Sequence, residues 1–511
     1  MPYLMGIDVG TTGTRAIVVD ETGRMLGSAT VDYPLYTPRP LWAEQDPEDW
    51  WRAACGAIRG ALDSAGVSGT DVGGIGLSGQ MHGLVLLDSA GQVLRPSILW
   101  CDGRTQRECD WITETVGASR LIELTCNPAL TGFTAPKIVW VREHEPEVYS
   151  RASKALLPKD YLRYRLTGAF ATEVSDASGT LLLDVRNRRW SPEMLDALGI
   201  DPSLLPEVFE SPVVSAAVSA TAADATGLAA GTPVVGGGGD QAAGGVGNGI
   251  VTPGLISSTI GSSGVVFAFT DQPWMDPGGR IHTFCHAVPG KWHVMGVTLG
   301  AGLSLRWFRD QLAPLEVVAG QLAGIDPYVL ITRQAADAPA GCEGLVWLPY
   351  VMGERTPHLD PNATGVLFGV TGRHSRAHVV RAVMEGVAYS LRDSIEILRG
   401  LGVPLGEVRF SGGGARSPLW RQIQSDVFGL AGVTLNVEEG PAFGVALLAG
   451  VGTGVFSTVE EACAATLRPA TQVEPEPAAV EVYEAYYRLY RGLYPALKPL
   501  YAQSAAIVTG Q

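Results

Sequence analysis

Met5-Gly-Ile-Asp-Val-Gly-Thr-Thr-Gly-Thr-Arg-Ala-Ile-Val-Val-Asp20 reads as an apolar strand, a Gly-hydroxyl-hydroxyl-Gly turn and a second apolar strand. The pattern returns as Ser257-Ser-Thr-Ile-Gly-Ser-Ser-Gly-Val-Val-Phe-Ala-Phe-Thr-Asp271. Glycine lets a backbone turn tightly and approach a ligand, while free amides and hydroxyls donate to oxyanions. Gly10, Thr11 and Thr12 in the first copy, and Gly261, Ser262 and Ser263 in the second, are therefore candidate phosphate contacts. Two such turns imply a phosphate chain gripped from both sides. Aligned on Gly10 and Gly261, the copies differ where the first has Asp8 and the second Thr259. Only the first turn carries a carboxylate suited to Mg²⁺.

Working outward, 511 residues exceed one ordinary core and fit two large domains, divided here as 1–248 and 249–511. A formal net charge of −15 argues against a nucleic-acid or anionic-membrane surface and points to a small-molecule partner. No apolar run reaches membrane-spanning length, and Asp8 interrupts any signal-peptide core, so a cytoplasmic location is expected. Seven cysteines without CxxC spacing suit a reducing compartment and free thiols. Assembly is left open, with a homodimer among the possibilities.

Asp46-Pro47-Glu48 starts a helix, with Asp46 as N-cap and Pro47 at the first helical position, and Trp50 and Trp51 fall to its core side. Ile75-Gly-Leu-Ser-Gly-Gln-Met-His-Gly83 is a strand end running into a polar turn. Residues 104–168 read as mainly helical, and the Ala-, Ser- and Thr-rich stretch 211–230 as a surface excursion. Pro233-Val-Val-Gly-Gly-Gly-Gly-Asp-Gln241 is a strand entering a glycine-lined turn, and Val408-Arg-Phe-Ser-Gly-Gly-Gly-Ala-Arg-Ser-Pro418 repeats that design with Ser417 as N-cap. The tail from about Val480 to Tyr501 has helical aromatic periodicity.

No Gly-x4-Gly-Lys-Ser/Thr sequence occurs, so a P-loop enzyme is unsupported. The paired hairpins and late glycine loop instead resemble a duplicated actin-like nucleotide-binding fold. Asp240, after four glycines at a strand end, can reach a cleft as a general base, but local sequence divides it evenly between that role and a helix cap. Gln80, Met81 and His82 form a plausible polyol surface, although a strand-end histidine is more often structural. His282, His286 and His293 lie in a predicted hairpin, where alternation separates neighbours, and zinc is not expected there. Arg355 and Arg373 read as solvated or ion-paired.

Two long stretches carry a resemblance covering nearly the whole chain. Gly132-Phe-Thr-Ala-Pro-Lys-Ile-Val-Trp-Val-Arg-Glu-His144 and Gly365-Val-Leu-Phe-Gly-Val-Thr-Gly-Arg-His-Ser-Arg-Ala-His-Val-Val-Arg-Ala-Val-Met-Glu385 resemble the FGGY carbohydrate kinase signatures. The resemblance implies an α/β fold of two actin-like (ribonuclease H-like) domains, with a nucleotide and sugar cleft between them. It implies ATP and Mg²⁺ as cofactors, Asp240 as proton acceptor, and Asp8 near the metal, with both carboxylates holding it through water. Met81 and His82 would contact a ketose, with Gln241 beside them, and Gly412, Gly413 and Gly414 would lie beside the adenosine. Leu41-Trp-Ala-Glu-Gln-Asp-Pro-Glu48, Gly79-Gln-Met-His-Gly83, Ile98-Leu-Trp-Cys-Asp-Gly-Arg104, Leu157-Pro-Lys-Asp-Tyr161 and Gly353-Glu-Arg-Thr-Pro-His358 are most similar to xylulose-phosphorylating members. Gln241 and Cys101 depart from that branch, each standing where Asn is expected. Other pentulose, pentitol or glycerol kinases, and a non-catalytic nucleotide sensor, are the alternatives.

Overall fold

The computed structural model describes residues 3–437 and 439–509. The strands Tyr3–Val9 and Gly13–Val19 form the first hairpin. Leu4, Met5, Ile7 and Val9 are all buried, on both faces of their strand, as expected where helices cover both sides of a sheet. The sheet order is Val214–Ala217, Pro233–Val235, Val72–Gly79, Tyr3–Val9, Gly13–Val19, Met25–Asp32, with Gly238–Gly239 also beside Val72–Gly79.

The second sheet, built around the second hairpin, repeats this plan. Its order is His282–Cys285, Trp292–Thr298, Gly264–Thr270, Gly254–Ile260, Leu405–Ser411, Ala431–Leu435, Pro469–Val473. In each sheet the hairpin's first strand has an antiparallel partner on one side and a parallel partner on the other. A further antiparallel strand follows on the first side, and on the other a parallel one and then an antiparallel edge. The second sheet adds His282–Cys285 at its edge, a strand the first sheet lacks.

Two helices occupy equivalent places after the second parallel strand of each sheet, and they pack together between the sheets. They are Asp240–Gly247 and Gly440–Gly452. A Cβ added at Gly444 would fall 1.9 Å from the Ala243 carbonyl oxygen, and one at Gly247 would fall 2.0 Å from that of Gly440. Only backbone without side chains can approach this closely. Helix Gly440–Gly452 also lies on the first sheet, where a Cβ on Gly6 would sit 1.8 Å from the Ala442 oxygen. A hydrophobic cluster containing Leu4, Phe267 and Ala442 consequently runs through both sheets.

Local sequence signals account for most elements. Asp46 accepts the Glu48 amide at 3.0 Å and Pro47 opens helix Pro47–Ala65, whose Trp50 is fully buried. Ser417 accepts the Trp420 amide at the start of helix Pro418–Phe428. The tail is helix Pro477–Thr509, with Tyr483, Tyr487, Tyr490, Tyr494 and Tyr501 buried. The stretch 211–230 is more regular than its composition implies: Val214–Ala217 is the sheet's edge strand and Ala220–Thr226 a helix capped by Ser219. An edge strand of small residues, half solvated, has little apolar alternation by which to be found. Among the described residues, no helix is long and apolar enough to cross a membrane.

Candidate active site

Sheet register brings the first lobe's polar residues together. Asp8 pairs with Ser78, which also pairs with Gly238, and Gly79 stands between Val9 and Gly239. Asp240 therefore leaves its strand end beside those carrying Asp8 and Gln80. It is the first residue of its helix, behind Gly239 at the N-cap, and that cap position makes no side-chain hydrogen bond. Asp240 is therefore not the N-cap residue itself, and its carboxylate meets the Gln241 amide at the start of the helix.

Asp240 is half-buried, with one edge toward a cavity and protein on its other sides. Burial raises its pKa to about 7, the Asp8 charge adds to the rise, and the Gln241 amide and side chain oppose it. Asp8 is raised to about 6, again by burial, with the Ser78 hydroxyl and Arg15 working the other way. Asp8 Oδ1 is buried without a hydrogen-bond partner. Two carboxylates that repel, one with an unpaired oxygen, form the hard donor set a divalent cation relieves, so these residues fit Mg²⁺.

The cavity, about 640 Å³, runs from Asp240 and Gln241 past Ser257, Thr259 and Phe267 to Gly412 and Gly413. Gly412 has φ +73, and a Cβ there would meet the Ile260 oxygen at 2.6 Å, so both conformation and space require glycine. Gly414 instead packs on the Ile260 side chain and is buried. Gln241, expected at the sugar, stands on this cavity's wall as well as beside Asp240.

The hairpin turns differ in what their hydroxyls already hold. Thr11 Oγ1 donates to Gln80 Oε1 at 3.2 Å and accepts from Trp100 Nε1 at 3.0 Å, which leaves chiefly backbone for a phosphate. Thr12 is exposed. Gly10 and Gly261 have no positive φ and no contact for an added Cβ closer than 3.3 Å, so the fold itself does not demand glycine there. That space suits a closely approaching ligand. In the second turn, Arg306 Nη2 donates to Ser262 Oγ at 3.2 Å, with Ser263 next to it. Arg306 is a cation that the sequence reading passed over. It stands in helix Ala301–Leu312, far from the turn along the chain.

Of the residues expected at the sugar, Met81 is buried, and a Cβ at Gly239 would meet its Cγ at 2.9 Å. His82 adopts φ 70, and its carbonyl accepts from Thr134 Oγ1 at 3.1 Å and Lys137 Nζ at 2.8 Å. Burial holds the imidazole neutral. Its Nδ1 faces the Gly179 oxygen at 2.7 Å, and because a carbonyl only accepts, Nδ1 carries the proton and Nε2 is left as acceptor. Lys137 is a clamp whose role was not read from its place in a signature. Its pKa is lowered to about 7 by burial.

The other histidines are interleaved with phenylalanines: His293 stacks on Phe267 with centroids 4.3 Å apart, and His282 on Phe284 at 5.7 Å. Burial keeps His282, His286 and His293 neutral. Arg373 is ion-paired with Glu343, as expected. Arg355 departs from expectation: it is half-buried, and among the described residues its guanidinium makes neither a hydrogen bond nor an ion pair, although the charge of Glu354 acts on it.

Fold and cleft together are those of the two-lobed actin-like class, and comparison with known proteins narrows it. Residues 3–247 match the N-terminal domain, and residues 256–453 the C-terminal domain, of the FGGY family of carbohydrate kinases. The chain is 40% identical over 500 residues to the xylulose kinase of Bacillus subtilis (strain 168), covering 98% of each protein. It is 40% identical over 503 residues to the xylulose kinase of Escherichia coli (strain K12), covering 98% of this chain and 100% of the other. The crystal structure of xylulose kinase from Rhodospirillum rubrum superposes with a TM-score of 0.90 at 32% identity, covering 98% of this chain and all of that one. The protein belongs to the FGGY family of carbohydrate kinases, which use ATP with Mg²⁺.

Proposed function

We propose that the protein transfers the γ-phosphoryl group of ATP to O5 of D-xylulose, giving D-xylulose 5-phosphate and ADP. Similarity to xylulose kinases along the whole chain carries the choice of substrate. The raised Asp240 carboxylate at the cavity mouth carries the choice of base. Asp240 accepts the O5 proton, O5 bonds to the γ-phosphorus, and the bond from that phosphorus to the ADP oxygen breaks. A pKa near 7 is close to the working range of a general base.

ATP occupies the cavity between Asp240 and Gly412–Gly413, with its phosphates toward the hairpin turns at Gly10 and Gly261. Mg²⁺, when bound, neutralises charge developing on the phosphoryl oxygens. Asp8 and Asp240 would hold it through water. His82 Nε2 accepts from a sugar hydroxyl, and Met81 walls the site. Domains 1–248 and 249–511 close on the cleft and exclude water, the competing acceptor. Seven cysteines, all free, accord with a cytoplasmic setting.

A coupled ADP-release assay across D-xylulose, D-ribulose, pentitols, gluconate and glycerol tests the reading. The highest kcat/KM is expected with D-xylulose. A preference for another acceptor, or hydrolysis independent of sugar, would overturn it.

A further inference from the structure

Arg355 is a half-buried cation whose guanidinium makes no hydrogen bond or ion pair among the described residues, although the charge of Glu354 acts on it. Its neighbour Glu354 faces away, accepting from Thr298 Oγ1 at 2.6 Å, Ser390 Oγ at 3.2 Å and the Leu299 amide at 3.0 Å. Glu354 also accepts the Arg355 amide at 2.8 Å, which fixes the backbone from which the guanidinium extends. Thr356 pins the other side: its amide donates to the Val297 oxygen at 2.9 Å and its hydroxyl to the Arg280 oxygen at 2.8 Å. Arg280 lies two residues before His282. His282 stacks on Phe284, which stands 6.1 Å from the His82 ring.

The charge of Arg355 acts on both His82 and His282, whereas the charge acting on Asp240 is that of Asp8. The guanidinium is thus set on the histidine side of the site. A half-buried arginine with its donors unused is costly unless something accepts from it. If O5 lies at Asp240, the other end of the ketose presents a carbonyl oxygen on C2 beside a hydroxyl on C1. Two adjacent oxygens match the parallel N–H groups of a guanidinium.

We propose that Arg355 is a substrate-binding residue whose guanidinium grips O1 and O2 of the α-hydroxyketone end of the sugar, opposite the phosphorylated end. The inference rests on the xylulose reading above. Arg355 reaches the site from the second lobe, so the grip also couples sugar binding to the approach of the lobes.

The test compares D-xylulose with 1-deoxy-D-xylulose, which lacks O1, in wild type, Arg355→Met and Arg355→Lys. Wild type is expected to lose roughly tenfold in kcat/KM on removal of O1, the scale of one charge-assisted hydrogen bond. In Arg355→Met, kcat/KM for D-xylulose falls by about 10–100-fold, mainly through KM, and the penalty for losing O1 disappears. Arg355→Lys, keeping the charge without the fork, retains part of the penalty. A structural disturbance would lower both substrates equally and leave the penalty intact. That result, or no O1 penalty in wild type, overturns the proposal for Arg355 while leaving the kinase reading standing. A wild type inert toward D-xylulose overturns the reading and the inference together.

Discussion

The two lobes place different chemistry at the same positions of one repeated plan. In the first, the hairpin strand and its parallel neighbour set Asp8 against Ser78; in the second, the equivalent strands set Thr259 against Ser411. Thr259 Oγ1 and Ser411 Oγ lie 2.7 Å apart and bond to each other. Asp8 Oδ1 and Ser78 Oγ, both buried, make no full hydrogen bond among the described residues, although the Ser78 hydroxyl is near enough to favour the Asp8 anion. The next equivalence repeats the contrast: one interface helix begins with Asp240 and its counterpart with Gly440. Duplication supplied two matching scaffolds, and in one of them polar groups were left unsatisfied at the mouth of the cleft. Buried groups without partners destabilise a fold, so the open pair of Asp8 and Ser78, at one of the two equivalent positions, fits a place where a ligand completes the bonding.

Removing the base should have the largest effect. Asp240→Asn keeps shape and removes the proton acceptor, so kcat should fall by about 10³-fold while ATP binding, followed by calorimetry, persists. Turnover within tenfold of wild type would end the assignment. In the wild type, kcat/KM should rise with pH through about 7 and level above it, because only the ionised carboxylate accepts a proton. Stability runs the opposite way. The folded pKa of Asp240 lies above its ordinary 3.8, so its stabilising contribution is full below about 4 and is lost as pH rises through about 7. Asp240→Asn should therefore raise the Tm of the ligand-free protein at pH 8 more than at pH 4.

Making the lobes alike tests the contrast itself. Asp8→Thr copies the second lobe into the first and should cost about 10²-fold in kcat, with a higher Mg²⁺ requirement and little loss of stability. A variant with unchanged Mg²⁺ dependence would show that Asp8 does not face the metal. The reciprocal Thr259→Asp sets a carboxylate on the cavity wall and should weaken ATP binding by about tenfold through like-charge repulsion.

Legibility in the sequence followed the range of the interaction. The hairpins, Asp240, the caps at Asp46 and Ser417 and the C-terminal helix are written in consecutive residues, and the structure has each of them. The edge strand Val214–Ala217 escaped because small half-solvated residues carry no alternation. Arg306 beside Ser262, and Lys137 clamping the His82 carbonyl, depend on contacts between residues 44 and 55 positions apart. Arg355, grouped with Arg373 among scattered solvated or ion-paired cations, is instead half-buried, and its neighbour Glu354 hydrogen-bonds to Thr298, Leu299 and Ser390.

The smallest expected effects separate the paired serines. Ser411→Ala strands the Thr259 hydroxyl and should cost about 1 kcal/mol in denaturant unfolding. Ser78→Ala breaks no bond of that kind, and its unfolding free energy at pH 5, where Asp8 is largely protonated, should stay within about 0.5 kcal/mol of wild type. The Ser78 hydroxyl does favour the Asp8 anion, however, so its loss should move the Asp8 titration above about 6. The ligand-free variant should then lose more stability than wild type between pH 5 and pH 8, in the direction fixed by a raised carboxyl pKa. Equal losses for the two serine variants at pH 5 would mean that the first lobe's pair is bonded like the second's, and the open carboxylate on which the contrast depends would be gone.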